Sequence, residues 1–209
     1  MIRRNKGHKR KGTVFLSAGI IFILAAAVLA GYNLWDQHRA GTASDQVLQA
    51  IEELMRTPES STESTPAYLL NPEMEMPVTA IDGRGNIGKL SIPALGLELP
   101  VLAEWSYPNL KIAPCRYAGS AYKGNFVIAA HNYQTHFGKL QSLSPGDEIL
   151  FQDMDGNRFQ YRIAGIEVLS PDAVEEMKSD DWDLTLFTCT YSGQTRLTVR
   201  CERMEVPDE

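Results

Sequence analysis

The sequence predicts an all-β domain, a sandwich or a closed barrel, held behind one apolar N-terminal segment. Three observations carry that reading. From about Ile81 onward, short apolar or alternating runs are separated by turn residues at close intervals, the pattern of many short strands. One of those breaks, Asp155-Gly156-Asn157, lies between two alternating runs and is the best single hairpin signal in the chain. Ahead of them all, "TVFLSAGIIFILAAAVLAGYNLW", residues 13 to 35, carries no charge and is long enough to cross roughly 30 Å of hydrocarbon as a helix. A chain of 209 residues, 44% of them hydrophobic, supplies one sizeable core and no more.

In chain order, residues 1–12 form a basic tip. Arg3, Arg4, Lys6, Lys9, Arg10 and Lys11 stand there with no acidic residue, whereas the rest of the chain has 14 basic against 26 acidic side chains. Lys and Arg are retained on the cytoplasmic side of a membrane, so the span at 13–35 is expected to leave the N-terminus inside and everything after Trp35 outside. The alternative is a cleaved signal peptide, since "VLAG" at 28–31 places small residues around a cut after Ala30. The apolar run exceeds the roughly 7 to 15 residues usual for a signal-peptide core, which favours an uncleaved anchor. Either way the body is exported, and its acidic balance argues against nucleic acid as a partner.

Residues 36–80 read as an extracellular stalk. Ser44 is placed to cap a short helix in which Val47, Leu48, Ile51, Leu54 and Met55 recur at helical spacing, and Thr57-Pro58 would end it. The Ser-, Thr-, Glu- and Pro-rich stretch that follows has no period and reads as linker. Residues 81–209 then form the β domain, from the runs "IGKLSIPALG", "LELPVLAEW", "GNFVIAAH", "EILFQDMDGNRFQYRIAGIEVLS", "LTLFTCTY" and "RLTVRCERMEV". Residues 170 to 183 can hold one helical turn and otherwise form an acidic loop, a rim for a groove beside the strand that follows.

Polar residues at strand ends supply the candidate chemistry. His131 closes "FVIAA", Cys189 closes "LTLF" with Thr188 beside it, and Arg196 opens "LTV". A strand end holds a side chain at the surface with small positional error. A thiolate can be the nucleophile of an acyl transfer, an imidazole can move protons, and a guanidinium can stabilise an oxyanion. Each residue also has a plainer reading: a small core thiol, a strand-ending turn, a surface charge. His136, five residues after His131, competes for the same role, but no HExxH or paired CxxC pattern accompanies either, which argues against zinc.

With "TLFTC" at 185–189, "RLTV" at 196–199 and "FVIAAHNYQTHFGKL" at 126–140 in that order behind an anchor, the chain resembles the sortases, membrane-anchored cysteine transpeptidases of Gram-positive bacteria. The resemblance covers about residues 85 to 206. It implies a closed eight-stranded β-barrel with short helices. It also implies a reaction in which Cys189 attacks the Thr carbonyl of a Leu-Pro-x-Thr-Gly-like sorting signal. His131 would serve the departing and incoming amines, Arg196 the tetrahedral states, and Thr188 would contact the substrate. The implied partners are surface proteins bearing that signal and an amine of peptidoglycan or of a pilin lysine.

No cofactor is implied. Calcium binds an acidic loop in some relatives, while composition alone favours a solvated loop at 170–183. Residues 36 to 84 contain no Asp-Pro-aromatic lid motif and residues 170 to 183 are too short for a long inserted helix, so the class stays open. The remaining thiols, Cys115 and Cys201, read either as a disulfide of an exported domain or as two separate buried thiols. A hydrolytic cysteine peptidase on the same scaffold and a non-catalytic cell-envelope binding module are the competing functions.

Overall fold

The computed structural model describes residues 6–56, 65–190 and 192–204. The chain divides into two compact units, Met1–Arg39 and Ala40–Glu209. A helix, α1 (Lys6–Arg56), runs through the first and ends in the second. In the first unit its apolar side chains are bare: Phe15, Phe22 and Val28 are each more than 70% exposed. An 18-residue window of mean hydropathy 2.6 has none of its residues buried. Such a surface is stable in hydrocarbon and costly in water, so the segment fits a single-pass anchor. It is the one helix among the described residues long and apolar enough for that.

The second unit is the β domain. A ring of eight strands closes in the order β2 (Arg84–Ile92), β3 (Leu97–Leu102), β4 (Cys115–Ala118), β5 (Phe126–Ala129), β8 (Leu184–Cys189), β9 (Arg196–Arg203), β7 (Arg158–Leu169), β6 (Glu148–Asp153) and back to β2. A short strand, β1 (Thr79–Ile81), adds to β2 outside the ring. It lies on the β6 side, because Asn86 is paired with Thr79 on one edge and Leu102 on the other. Among the described residues only β3–β4 and β5–β8 are parallel. The fold is therefore the closed eight-stranded barrel that the resemblance implied.

Alternation makes the barrel. Along β7, Phe159, Tyr161 and Ile163 are buried while Arg158, Gln160 and Arg162 are exposed, the period of two that puts one face inward. Ile149 and Phe151 of β6 fill the same interior, with Phe126 and Ile128 of β5 and Leu184 and Leu186 of β8. The β6–β7 hairpin turns at 154–157 as expected, with Gly156 at a φ of +88. Buried Asp153 accepts from the Asp155 and Asn157 backbone N–H groups and from the Tyr122 hydroxyl. Two strands escape the sequence pattern. β1 has three residues, and β4 has four with one buried, too few to alternate visibly.

The segment read as a stalk is packed onto the barrel from Ala40. Ser44 is no cap: it lies in the middle of α1, buried. The apolar helix before it already supplies the preceding turn, so no orphan N–H remains for its hydroxyl to accept. The expected helical period is real, however. Val47 and Ile51 bury against Ile81, with Ile112 and Met154 alongside. Burying two such side chains contributes roughly 2 kcal/mol each, and Lys89 of β2 lies 3.6 Å from Glu52. Thr57-Pro58 lies outside the described residues. Beyond it, the expected linker carries the helical turn α2 (Ala67–Leu70) and is tied down by Met76, buried, and by Tyr68, whose ring stacks 4.7 Å from Tyr122. Glu73 and Glu75 pair with Lys123 and Arg116.

Candidate active site

The pleat of β8 decides which way its polar residues point. Leu184 and Leu186 belong to the interior cluster, so Thr185, Phe187 and Cys189 stand on the outer face. Cys189 is directly opposite Arg196 in the antiparallel β8–β9 pair, and directly opposed residues present their side chains on one face. On the other side of β8, parallel β5 runs in register, with Ala129 beside Phe187. β5 ends there, and the chain leaving it carries His131 two residues on, at the same end of the sheet as Cys189. The link between the two chains reaches Ala130: its N–H donates to the Phe187 carbonyl at 3.1 Å, and the Thr188 hydroxyl donates to its carbonyl at 2.8 Å.

The three residues thus converge. His131, Cys189 and Arg196 line one open cavity of about 280 Å³ together with Thr188. Thr188 is buried, and its hydroxyl is committed to the protein, where it ties the ends of β5 and β8 together. Arg196 Nη1 donates to the carbonyls of Gly193 and Thr195, both at 3.2 Å, so the guanidinium is braced by its own turn. The His131 carbonyl accepts from Phe137 N–H at 3.2 Å, at the start of a 3₁₀ turn, Phe137–Ser142. His136 does not join the site. It is fully buried, and desolvation, with the charge of nearby His131 adding, pushes its pKa down to about 4.

The other two thiols are excluded by burial. It pushes Cys115 up to about 12 and raises Cys201 further, whereas Cys189 is partly exposed on the cavity. A thiol that ionises near 12 is roughly one part in 10⁵ thiolate at neutral pH. All three are free, so the disulfide alternative for Cys115 and Cys201 does not hold. The reason is distance across the sheet. β5 and β8 intervene between β4 and β9, and three interstrand steps span about 14 Å, twice the Cα separation a disulfide tolerates.

The cavity has a wall the sequence did not announce. Phe187, Tyr117, Trp105 and Tyr107 form a chain of ring contacts at 5.1, 5.9 and 5.2 Å, leading from the Cys189 face to a 70% exposed Tyr107 at the start of the helical turn α3 (Tyr107–Leu110). The facing wall is the expected rim: Ser170, Pro171 and the single helical turn α4 (Val174–Met177). Arg200 of β9 holds that turn. Nearly buried, it donates to the Glu176 carbonyl at 2.7 Å, the Thr185 hydroxyl at 3.0 Å and Glu167 at 2.6 Å. Arg200 had no signal of its own beyond being one more Arg on a strand. The aromatic pair around Pro108 in "EWSYPNL" was the trace of the opposite wall.

The sortase domain family model matches residues 90–204, from β2 to the end of β9. The chain belongs to the sortase family. It is therefore an enzyme, a cysteine transpeptidase. Among curated relatives it is similar to sortase A of Bacillus anthracis, with 28% identity over 187 residues covering 86% of this chain and 88% of that protein. Among solved structures it is similar to sortase C1 of Streptococcus suis, at 27% identity and a TM-score of 0.50, covering 58% of this chain and 74% of that one. The sortase D5 transpeptidase of Clostridium perfringens shares the fold at a TM-score of 0.59 and 23% identity, covering 78% of this chain and 99% of that one.

Proposed function

We propose that this sortase cleaves a Leu-Pro-x-Thr-Gly-like sorting signal through a thioacyl enzyme on Cys189 and transfers the acyl group to an amine of the cell wall or of a pilin. One observation supports the assignment of roles: Cys189 and Arg196 are cross-strand partners on the outer face of the barrel, and His131, two residues past the end of the neighbouring strand, lines the same cavity. In the first step the Cys189 sulfur bonds to the Thr carbonyl carbon, and the C–N bond to Gly breaks as imidazolium His131 gives its proton to the leaving amine. In the second, an amine loses a proton to His131, bonds to the same carbon and expels the thiolate. Arg196 stabilises the oxyanion of both tetrahedral states, moving from its turn carbonyls to do so. A sortase C of Clostridium perfringens sharing the fold, at 23% identity and a TM-score of 0.58, was solved with the C-terminal cell wall sorting motif. Substrate recognition of that kind suits the aromatic and α4 walls here.

The bare apolar helix and the basic residues before it support a single-pass protein with a cytoplasmic N-terminus and an external barrel. Its clients would be exported proteins carrying the signal. The test is to incubate the full chain in detergent with a sorting peptide and an acceptor amine, and to read adduct and product by mass. A thioester on Cys189 and an amine-ligated product, both lost in Cys189→Ala, are expected. Hydrolysis alone at saturating amine would make the enzyme a peptidase, and turnover by Cys189→Ala would remove the thiol mechanism.

A further inference from the structure

His131 stands at one end of a six-residue loop that no strand ladder supports, and the other end of that loop is held by α1. The helix face that docks there is set by spacing. Ala40, Gly41, Ser44, Val47 and Ile51 are all buried, one stripe along the end of α1. At Gly41 the approach is so close that a Cβ would sit 2.9 Å from Thr135 Cγ2. One residue on, the buried His136 ring lies beside the Ala40 and Ile112 backbone, close enough for both to favour its charged form. Ser44 Oγ and Thr135 Oγ1 are buried as well.

The loop transmits that contact to the site. The rings of His136 and Tyr133 lie 5.5 Å apart, and those of Tyr133 and His131 5.0 Å apart. The Tyr133 carbonyl accepts from the His136 and Gly138 N–H groups at 2.9 and 2.8 Å, and Gly138 has no room for a side chain, since a Cβ would meet the Asn132 and Tyr133 carbonyl oxygens at 2.5 and 2.7 Å. The loop is therefore pinned on one side by backbone and on the other by α1. We propose that the Ala40–Ser44 turn of α1 is a positioning element of the active site: seated at Gly41 against Thr135 and over His136, it sets where the His131 imidazole stands. The proposal rests on the acid–base role given to His131 above.

Second-site rescue in the full chain tests it. Gly41→Ala adds one methyl against Thr135 Cγ2, and Thr135→Ser removes that atom. Gly41→Ala is expected to lower kcat for amine transfer about tenfold, to leave KM for the sorting peptide within twofold, and to shift a limb of the pH–rate profile. Adding Thr135→Ser is expected to return kcat to within threefold of the parent. Ile51→Ala, which loosens α1 far from the loop, serves as the stability-matched control and is expected to keep kcat. The proposal is overturned if Gly41→Ala retains kcat, if Thr135→Ser gives no rescue, or if Ile51→Ala loses kcat equally. Should Gly41→Ala not fold, the double variant against Thr135→Ser alone gives the same comparison, with equal kcat expected and a tenfold gap overturning. His131→Asn, measured alongside, reports separately on the role of the imidazole: if it retains full turnover, that role fails whatever α1 does.

Discussion

A thiol reacts as its thiolate, and burial decides how much thiolate there is. Cys115 and Cys201 are sealed within the fold with their ionisation pushed far up, while Cys189 opens on the cavity. Brief treatment of the native chain with iodoacetamide near neutral pH is therefore expected to add one carbamidomethyl group, on Cys189, and treatment in denaturant three. Intact and peptide mass measure both, and early modification of Cys115 or Cys201 would contradict the burial. Arg200 makes a second residue-scale test. Its planar fork meets a carboxylate, a hydroxyl and two backbone carbonyls at once, a set that the single ammonium of Lys cannot reproduce. Arg200→Lys is expected to cost about 2 to 4 kcal/mol of stability by breaking a nearly buried charge network. It should also raise KM for the sorting peptide several-fold as α4 loosens, which urea titration and steady-state kinetics would read.

At the scale of elements, the 3₁₀ turn after the His131 loop leaves no room for a side chain at Gly138. Gly138→Ala would drive a methyl into two backbone carbonyl oxygens, atoms that cannot swing away as a side-chain end can. A loss of about 1 to 3 kcal/mol, the usual cost of overpacking, together with a fall in kcat of at least tenfold is expected, and retention of both would mean that the loop has slack. Elements of this kind mark what the sequence could and could not disclose. The long strands were legible because β6 and β7 alternate over enough residues to show a period of two, and the Cys189 and Arg196 ends of β8 and β9 were legible because their motif is contiguous. β1 and β4 were not, since three or four residues carry no period. The docking of α1 was half visible: Val47 and Ile51 showed the stripe, but Ser44 mimicked a cap because a sequence does not say that a helix is already under way. Gly41, the residue in closest contact, is silent in a one-dimensional pattern, because its contact is with a residue 94 positions later.

For the whole molecule, the buried neutral His136 ties folding to pH. Its pKa is pushed from an ordinary 6.5 down to about 4, so the unfolded chain takes up a proton first as the medium is acidified. Between about 6.5 and 4 the unfolded state holds more protons than the native one, and by linkage stability rises with pH across that window. The His136 contribution is thus complete above about 6.5, is lost progressively as pH falls to about 4, and changes no further below it. The size follows from the lowering of roughly 2.5 pH units at about 1.4 kcal/mol each, an upper bound of about 3.5 kcal/mol. Because the ring sits where α1 meets the loop of His131, the acid loss should appear first as undocking there and only then as barrel unfolding. Urea midpoints at pH 7 and pH 4.5 for the parent and for His136→Leu separate this group from the carboxylates, which titrate in both chains. The variant, relieved of a buried polar ring, is expected to match the parent at pH 7 within about 1 kcal/mol and to keep most of the stability that the parent loses by pH 4.5. Equal acid losses in the two chains would show that the His136 ring is already charged, or hydrated, in the native state.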